Sequence, residues 1–170
     1  MKYSKNFYQI RSNEVIFEKL QKERESIGYY TLPFADSKPI SEYAKSIDKQ
    51  HIVVIGIGGS SLGSNAIYEF LRRKQAFSKT LLFLESTDPI DIRSKLESIE
   101  LGETLFVTIS KSGTTVETIG ILKYLSGIIK LTADNMVVLS ESATPLHAYA
   151  QREAYMFFEI PQDIHQCRRA

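Results

Sequence analysis

Five short, nearly unbroken apolar runs punctuate the chain after its first fifty residues: HIVVIGI (51–57), TLLFLE (80–85), TLFVTIS (104–110), NMVVLS (135–140) and YMFFEI (155–160). Runs of this length without polar alternation fit strands covered on both faces. Between them the apolar spacing turns helical. SNAIYEFLRR follows the first run; Asp88-Pro89 supplies an N-cap and a first-turn proline ahead of Ile92, Leu96 and Ile99. Thr144-Pro145 repeats that device before LHAYAQRE, and Thr114 with Glu117 reads as a T-x-x-E capping box ahead of Ile121, Leu122 and Leu125. Strand alternating with helix predicts an α/β fold: a three-layer α/β/α sandwich on a parallel sheet of about five strands.

The first fifty residues follow a different pattern. EVIFEKLQKERESI (14–27) sets Val15, Ile16, Phe17 and Leu20 on a partial helical stripe, with Gly28 placed to end it. YYTLPFADSKPI carries two prolines and reads as an ordered connector whose aromatics need burial. The expected organisation is an N-terminal helical arm and connector over 1–49, packed on a sheet domain over 50–161, and an aberrant or disordered tail over 162–170.

Composition narrows the function classes. A chain of 170 residues with 43% hydrophobic and 24% charged residues can bury a core, and its formal net charge of +1 gives no general field for nucleic acid or membrane. Cys167 is the only cysteine, so neither a disulfide framework nor a cysteine zinc site is expected, and the reducing cytoplasm is the expected compartment. MKYSKNFYQIRSNEVIF lacks the apolar stretch of a signal peptide, and no apolar run approaches the ~20 residues of a membrane span. His51, His147 and His165 are scattered rather than spaced as metal ligands, and Arg72, Arg73 and Lys74 read as a solvated helix face.

The chemistry is concentrated in two strand-to-helix turns. GIGGSSLG (56–63) exposes backbone N–H groups at a helix N-terminus, where the dipole favours an anion, and Ser60 and Ser61 add hydroxyls. It is not a P-loop, lacking the Gly-Lys-Ser/Thr ending, and it misses G-x-G-x-x-G at Ser61. Glu85, closing the second run, stands about where a dinucleotide fold keeps its ribose-binding acid, so the first turn alone leaves a dinucleotide and a phosphate ligand both open. SKSGTTVET (110–118) then packs five hydroxyls and one lysine into nine residues. A monoester phosphate accepts that many hydrogen bonds at once; a dinucleotide has no need of the second cluster.

The pair of motifs at this spacing resembles the N-terminal sugar-isomerase (SIS) domain of the glucose-6-phosphate isomerase (phosphoglucose isomerase) family, and SKSGTTVET meets S-K-[ST]-x-T-T-x-E-T at every specified position. The resemblance extends to Pro161 and implies a SIS-type fold with an N-terminal helical arm. It implies that Gly59, Ser60, Ser110, Lys111, Ser112, Thr115 and Thr118 surround the phosphate of a sugar phosphate. It also implies interconversion of glucose 6-phosphate and fructose 6-phosphate, in glycolysis and gluconeogenesis, by a homodimer without metal or organic cofactor. Ser61 stands where many members carry aspartate.

Past the fifth strand, family members continue with a Gly-Gly-Arg segment and later supply a base glutamate, a partner-subunit histidine and a lysine. Here the sequence reads EIPQDIHQCRRA, so no catalytic residue is expected within these residues, and a truncation or frameshift near Pro161 is expected. A free-standing sugar-phosphate-binding regulatory module is the alternative, and a dinucleotide-binding domain stands third.

Overall fold

The computed structural model describes residues 14–23, 28–162 and 164. The predicted end of the first helix at 24–27 and nearly all of the 162–170 tail lie outside the described residues. The described residues form two compact units that part at Ala35.

In the smaller unit the predicted helix runs Glu14–Glu23 (α1), and two single turns of 3-10 helix follow at Gly28–Tyr30 and Leu32–Phe34. Local bonds order these turns: the Thr31 hydroxyl donates to the Gly28 carbonyl at 2.9 Å, and the Phe34 amide donates to the Thr31 carbonyl at 2.9 Å. Burial of the connector's aromatics is not uniform, since Phe34 is 80% exposed. Local backbone hydrogen bonds and Pro33 order this segment.

The larger unit opens with α2 (Lys38–Ser46). It continues β1 (His51–Ile55), α3 (Leu62–Leu71), β2 (Thr80–Leu84), α4 (Pro89–Glu97), β3 (Thr104–Ile109), α5 (Val116–Ile128), β4 (Met136–Ser140), α6 (Pro145–Arg152) and β5 (Met156–Glu159). The strands form one parallel sheet in the order β2-β1-β3-β4-β5. All five apolar runs are strands, and only edge strand β5 has no buried residue.

Strand alternation divides the sheet's side chains between two faces. On one, Val53, Ile55, Leu84, Phe106, Met136 and Val138 are buried against Ile92 and Leu96 of α4, Ile121, Leu122 and Leu125 of α5, and Leu146 and Ala150 of α6. On the other, Phe83 meets Tyr68 of α3 with ring centroids 6.3 Å apart, and Phe158 meets Tyr43 of α2 edge-on at 5.6 Å. Helices on both faces make the three layers. The second layer is thinner. Nothing on α3 is buried, and its Leu62, Ile67 and Phe70 are 62%, 62% and 60% exposed. A helix apolar on nearly every side is ordinarily covered all round.

The strand order matters for the site. From β1 the chain crosses to β2 on one side; from β2 it returns past β1 to β3, so the connections diverge between β1 and β3. Beyond the carboxyl ends of two such strands lies the crevice in which open parallel sheets bind ligands. Both sequence motifs follow those strands. Among the described residues, no helix is long and apolar enough to cross a membrane, and no group of His, Cys, Asp and Glu could hold a metal ion.

Candidate anion-binding site at the sheet switch point

The first turn leaves β1 at Gly56, whose amide donates to the Leu84 carbonyl at 3.4 Å. A Cβ added at Gly56 would lie 2.9 Å from the Ser60 Cβ and 3.1 Å from the Ile109 carbonyl oxygen, so the turn closes tightly against the end of β3. Gly58 has φ +62°, a left-handed conformation that side chains disfavour, and it opens a 3-10 turn over Gly58–Ser60. Gly59 is exposed and Ser60 half-buried at the tip. Ser61 occupies the N-cap of α3, yet its side chain makes no cap bond, and its fully buried Oγ has no partner among the described residues.

The second turn begins at Ser110, 1% exposed, whose hydroxyl lies 2.9 Å from the Thr115 hydroxyl. Gly113, at φ +63°, donates its amide to the Ser110 carbonyl at 3.1 Å. A Cβ there would come within 2.6 Å of Thr144, so this turn packs directly on the one after β4. The Ser112 hydroxyl accepts from the Thr114 hydroxyl at 3.1 Å and from the Thr114 amide at 3.4 Å. Thr118 lies in the first turn of α5, fully buried, with its hydroxyl unpartnered. Lys111 points toward β4: its ammonium lies 3.1 Å from Glu141 Oε1 and donates to the Gln162 carbonyl at 3.2 Å.

These positions correct one expectation. Thr114 and Glu117 do not form a capping box. Helix α5 begins at Val116 with Thr115 at its N-cap, Thr114 bonds Ser112, and Glu117 is an exposed residue of the first turn. The Thr115 hydroxyl faces Ser110 and leaves the helix end uncapped by a side chain.

The contrast among helices is informative. Asp88 caps α4 by accepting from the Ile90 amide at 2.9 Å, and Thr144 caps α6 by accepting from the His147 amide at 3.1 Å. Helices α3 and α5 receive no such bond; nor does α2 from its N-cap Ser37, but there Asp36 Oδ1 accepts from the Lys38 amide at 2.9 Å. Their first intrahelical bonds are Asn65 N to Ser61 O and Ile119 N to Thr115 O, so the amides of the preceding first turns have no partner within the helix. Two uncapped helix starts therefore adjoin two buried, unpartnered hydroxyls and the Ser110–Thr115 pair. Orphaned donors with this polarity favour an anion.

The structure thus brings Ser110 and Thr115 together, sets Thr118 in the helix turn behind them, and places Gly59 and Ser60 across the switch point. Lys111 and Ser112 face neighbours within the protein. The sequence singles out Thr144 only as a helix cap and Glu141 not at all; the one signal near them is the hydroxyl-rich stretch SESATP following a strand at the same sheet edge. Glu85 accepts from Asn65 Nδ2 at 3.3 Å through Oε2, while its buried Oε1 has no partner. A cavity of about 670 Å³ lies instead between α5 and α6, lined by Val116, Ile119, Leu122, Pro145 and Tyr149 among others. Its walls are mostly apolar, with Thr114, Lys123 and Ser126 as their polar members.

The fold is a doubly wound parallel α/β domain whose two hydroxyl-rich turns meet at its switch point. The phosphoglucose isomerase family profile matches residues 38–156. The chain belongs to the phosphoglucose isomerase family. A glucose-6-phosphate isomerase of Campylobacter jejuni is 32% identical over 146 residues, which are 81% of this chain and 36% of the relative. A hypothetical protein of Thermus thermophilus superposes with a TM-score of 0.74 at 28% identity, covering 89% of this chain and 39% of the other. A glucose-6-phosphate isomerase of Chlamydia trachomatis gives 0.64 at 26% identity, covering 74% and 25%. By these coverages the chain spans well under half the length of each of the three proteins.

Proposed function

We propose that these residues form the phosphate-binding half of a glucose-6-phosphate isomerase site. Gly59, Ser60, Ser110, Lys111, Ser112, Thr115 and Thr118 surround the 6-phosphate of the sugar. The observation that carries this reading is the pair of uncapped helices, α3 and α5, side by side at the switch point while α4 and α6 are capped. Hydroxyls and free amides supply neutral donors, each contributing about 1.5–3 kcal/mol to a charged acceptor.

Phosphate held in this way anchors one end of the sugar and sets where the other end lies. Isomerisation transfers a proton from C2 to C1 of the opened sugar through an enediolate, which needs a carboxylate base and a positive charge beside the developing oxyanion. The two turns contain no such constellation. Glu117 is exposed and Lys111 is paired with Glu141. The 170 residues accordingly bind sugar phosphate without turning it over, and the remainder of the site, in a homodimer like that of the family, comes from polypeptide outside them.

The exposed apolar side of α3 supports this over a free-standing regulatory module, which would keep such a face covered. Titration calorimetry with glucose 6-phosphate, fructose 6-phosphate and glucose tests the binding clause: the two phosphates bind and glucose does not. Equal binding of all three, or binding of none at millimolar concentration, refutes it. Interconversion by the purified chain refutes the second clause, and NAD binding without sugar-phosphate binding moves the assignment to the dinucleotide class.

A further inference from the structure

We infer that Glu141 is a positioning residue that competes with bound phosphate for the Lys111 ammonium and thereby sets the affinity of the site; the inference rests on the phosphate reading above. Lys111 is the only cation in either turn. It is held at three points by the last residue of β4 and the residue after it. The Glu141 amide donates to the Lys111 carbonyl at 3.0 Å, the Ser140 hydroxyl donates to the same carbonyl at 3.4 Å, and the Glu141 carboxylate lies 3.1 Å from the Lys111 ammonium.

The Lys111 and Glu141 side chains are 18% and 23% exposed, against 75% and 63% for the Lys38–Glu42 surface pair. Partial burial weakens screening, so both the attraction within the pair and the repulsion of Glu141 for an arriving anion are felt more strongly than on the surface. A phosphate reaching Ser110 meets an ammonium already engaged. It gains that ammonium only by drawing it off the carboxylate, so Glu141 costs affinity through Lys111. The loop geometry does not require that charge, because two of the three ties run through the backbone of Lys111.

Glu141→Gln keeps the shape and an acceptor for Lys111 while removing the charge. In the full chain, inorganic phosphate and glucose 6-phosphate should bind Glu141→Gln about fivefold or more tightly at low ionic strength, and the gain should shrink as salt is raised toward a Debye length of ~8 Å. Glu141→Asp, retaining the charge, should keep the affinity and salt response of the parent. In a Lys111→Met background the Glu141→Gln gain should fall below about twofold, and the melting shifts of the two substitutions should be non-additive, which reports the pair without any ligand. Equal or weaker binding by Glu141→Gln, a gain that survives in Lys111→Met, or additive melting shifts would overturn the inference. Ser110→Ala separates the two readings: if it weakens phosphate binding while Glu141→Gln changes nothing, only the role of Glu141 fails. If no variant binds either probe, the phosphate reading fails and the inference falls with it.

Discussion

Ser110→Ala, set beside Thr144→Ala, tests whether hydroxyls at this sheet edge serve a ligand or the fold. Each removes one buried or half-buried hydroxyl from neighbouring turns. Ser110 makes one side-chain bond, to the Thr115 hydroxyl at 2.9 Å. Its loss costs the fold about 0.5–1.5 kcal/mol, reduced because half-exposed Thr115 can turn to water. If the same hydroxyl donates to phosphate, binding loses about 1.5–3 kcal/mol, or roughly 10- to 150-fold in Kd. Thr144 is different. Its hydroxyl accepts from the His147 amide at 3.1 Å, pairs with Ser140 at 2.7 Å and lies 3.0 Å from the Glu141 carbonyl. Removing a cap and its network costs about 1–2 kcal/mol of stability. For a chain of this size that lowers Tm by about 2–8 °C, with less than about threefold effect on Kd. Calorimetric titration with glucose 6-phosphate and thermal unfolding by circular dichroism give both numbers for each variant. Ser110→Ala that melts lower but binds equally would show that its hydroxyl is a strut, and the proposed site would be wrong at its centre.

Three further outcomes follow from other parts of the structure. Gly58→Val forces a β-branched residue to φ +62°, where no neighbouring atom lies within 4 Å of its Cβ, so the cost is conformational: about 1–2 kcal/mol or more in urea unfolding, with weakened phosphate binding. Unchanged stability would show that the turn reorganises freely. Burial, then the hydrogen bond and charge of Tyr149, push the Tyr155 phenol well above its ordinary value of 10.0. The folded state therefore holds that proton more tightly. Its contribution is complete below about pH 10 and is lost as pH rises beyond that, so Tyr155→Phe should flatten the alkaline loss of Tm; an unchanged profile would place the titrating group elsewhere. Phe70→Lys on the exposed side of α3 should reduce binding of a hydrophobic dye and self-association on gel filtration without lowering Tm, and a lowered Tm would mean that Phe70 is part of the core.

The fold was legible because its strands are nearly unbroken apolar runs, the central ones covered on both sides and only edge strand β5 without a buried residue. HIVVI, TLLFL, TLFVTI, MVVLS and MFFE need no alternation to be recognised, and Asp88 and Thr144 cap α4 and α6 as their neighbouring prolines suggest. Two features were not legible, for different reasons. Thr114 and Glu117 have the spacing of a capping box, but Thr115, one residue on, occupies the cap, and its hydroxyl finds Ser110 at the strand end. Local spacing cannot reveal a competitor supplied by the preceding strand. The helical pattern SNAIYEFLRR likewise does not say how far α3 is covered, and in the structure its Leu62, Ile67 and Phe70 stand exposed. The site was partly legible. Ser110 and Thr115 lie in one motif, but Glu141 becomes visible only once β4 is known to run beside β3.

The same topology explains why the caps differ. Helices α4 and α6 begin with a proline-bearing Asp or Thr cap, which satisfies their starts within the protein. Helices α3 and α5 begin beside the β1–β3 divergence with serine and threonine at the cap positions, residues well able to cap, yet neither does. The hydroxyl of Thr115 is turned to Ser110, and that of Ser61 is buried without a partner. Leaving two adjacent helix starts open costs stability that a purely structural domain would have no reason to forgo. Such a cost is recovered when a ligand supplies the missing acceptor, and binding to the native state alone then raises stability by mass action. Saturating glucose 6-phosphate should therefore raise Tm. The rise should be smaller in Ser110→Ala than in the parent, and nearly undiminished in Thr144→Ala relative to that variant's own unliganded Tm. An equal rise in all three would mean that the ligand stabilises the domain from somewhere other than the open ends of α3 and α5.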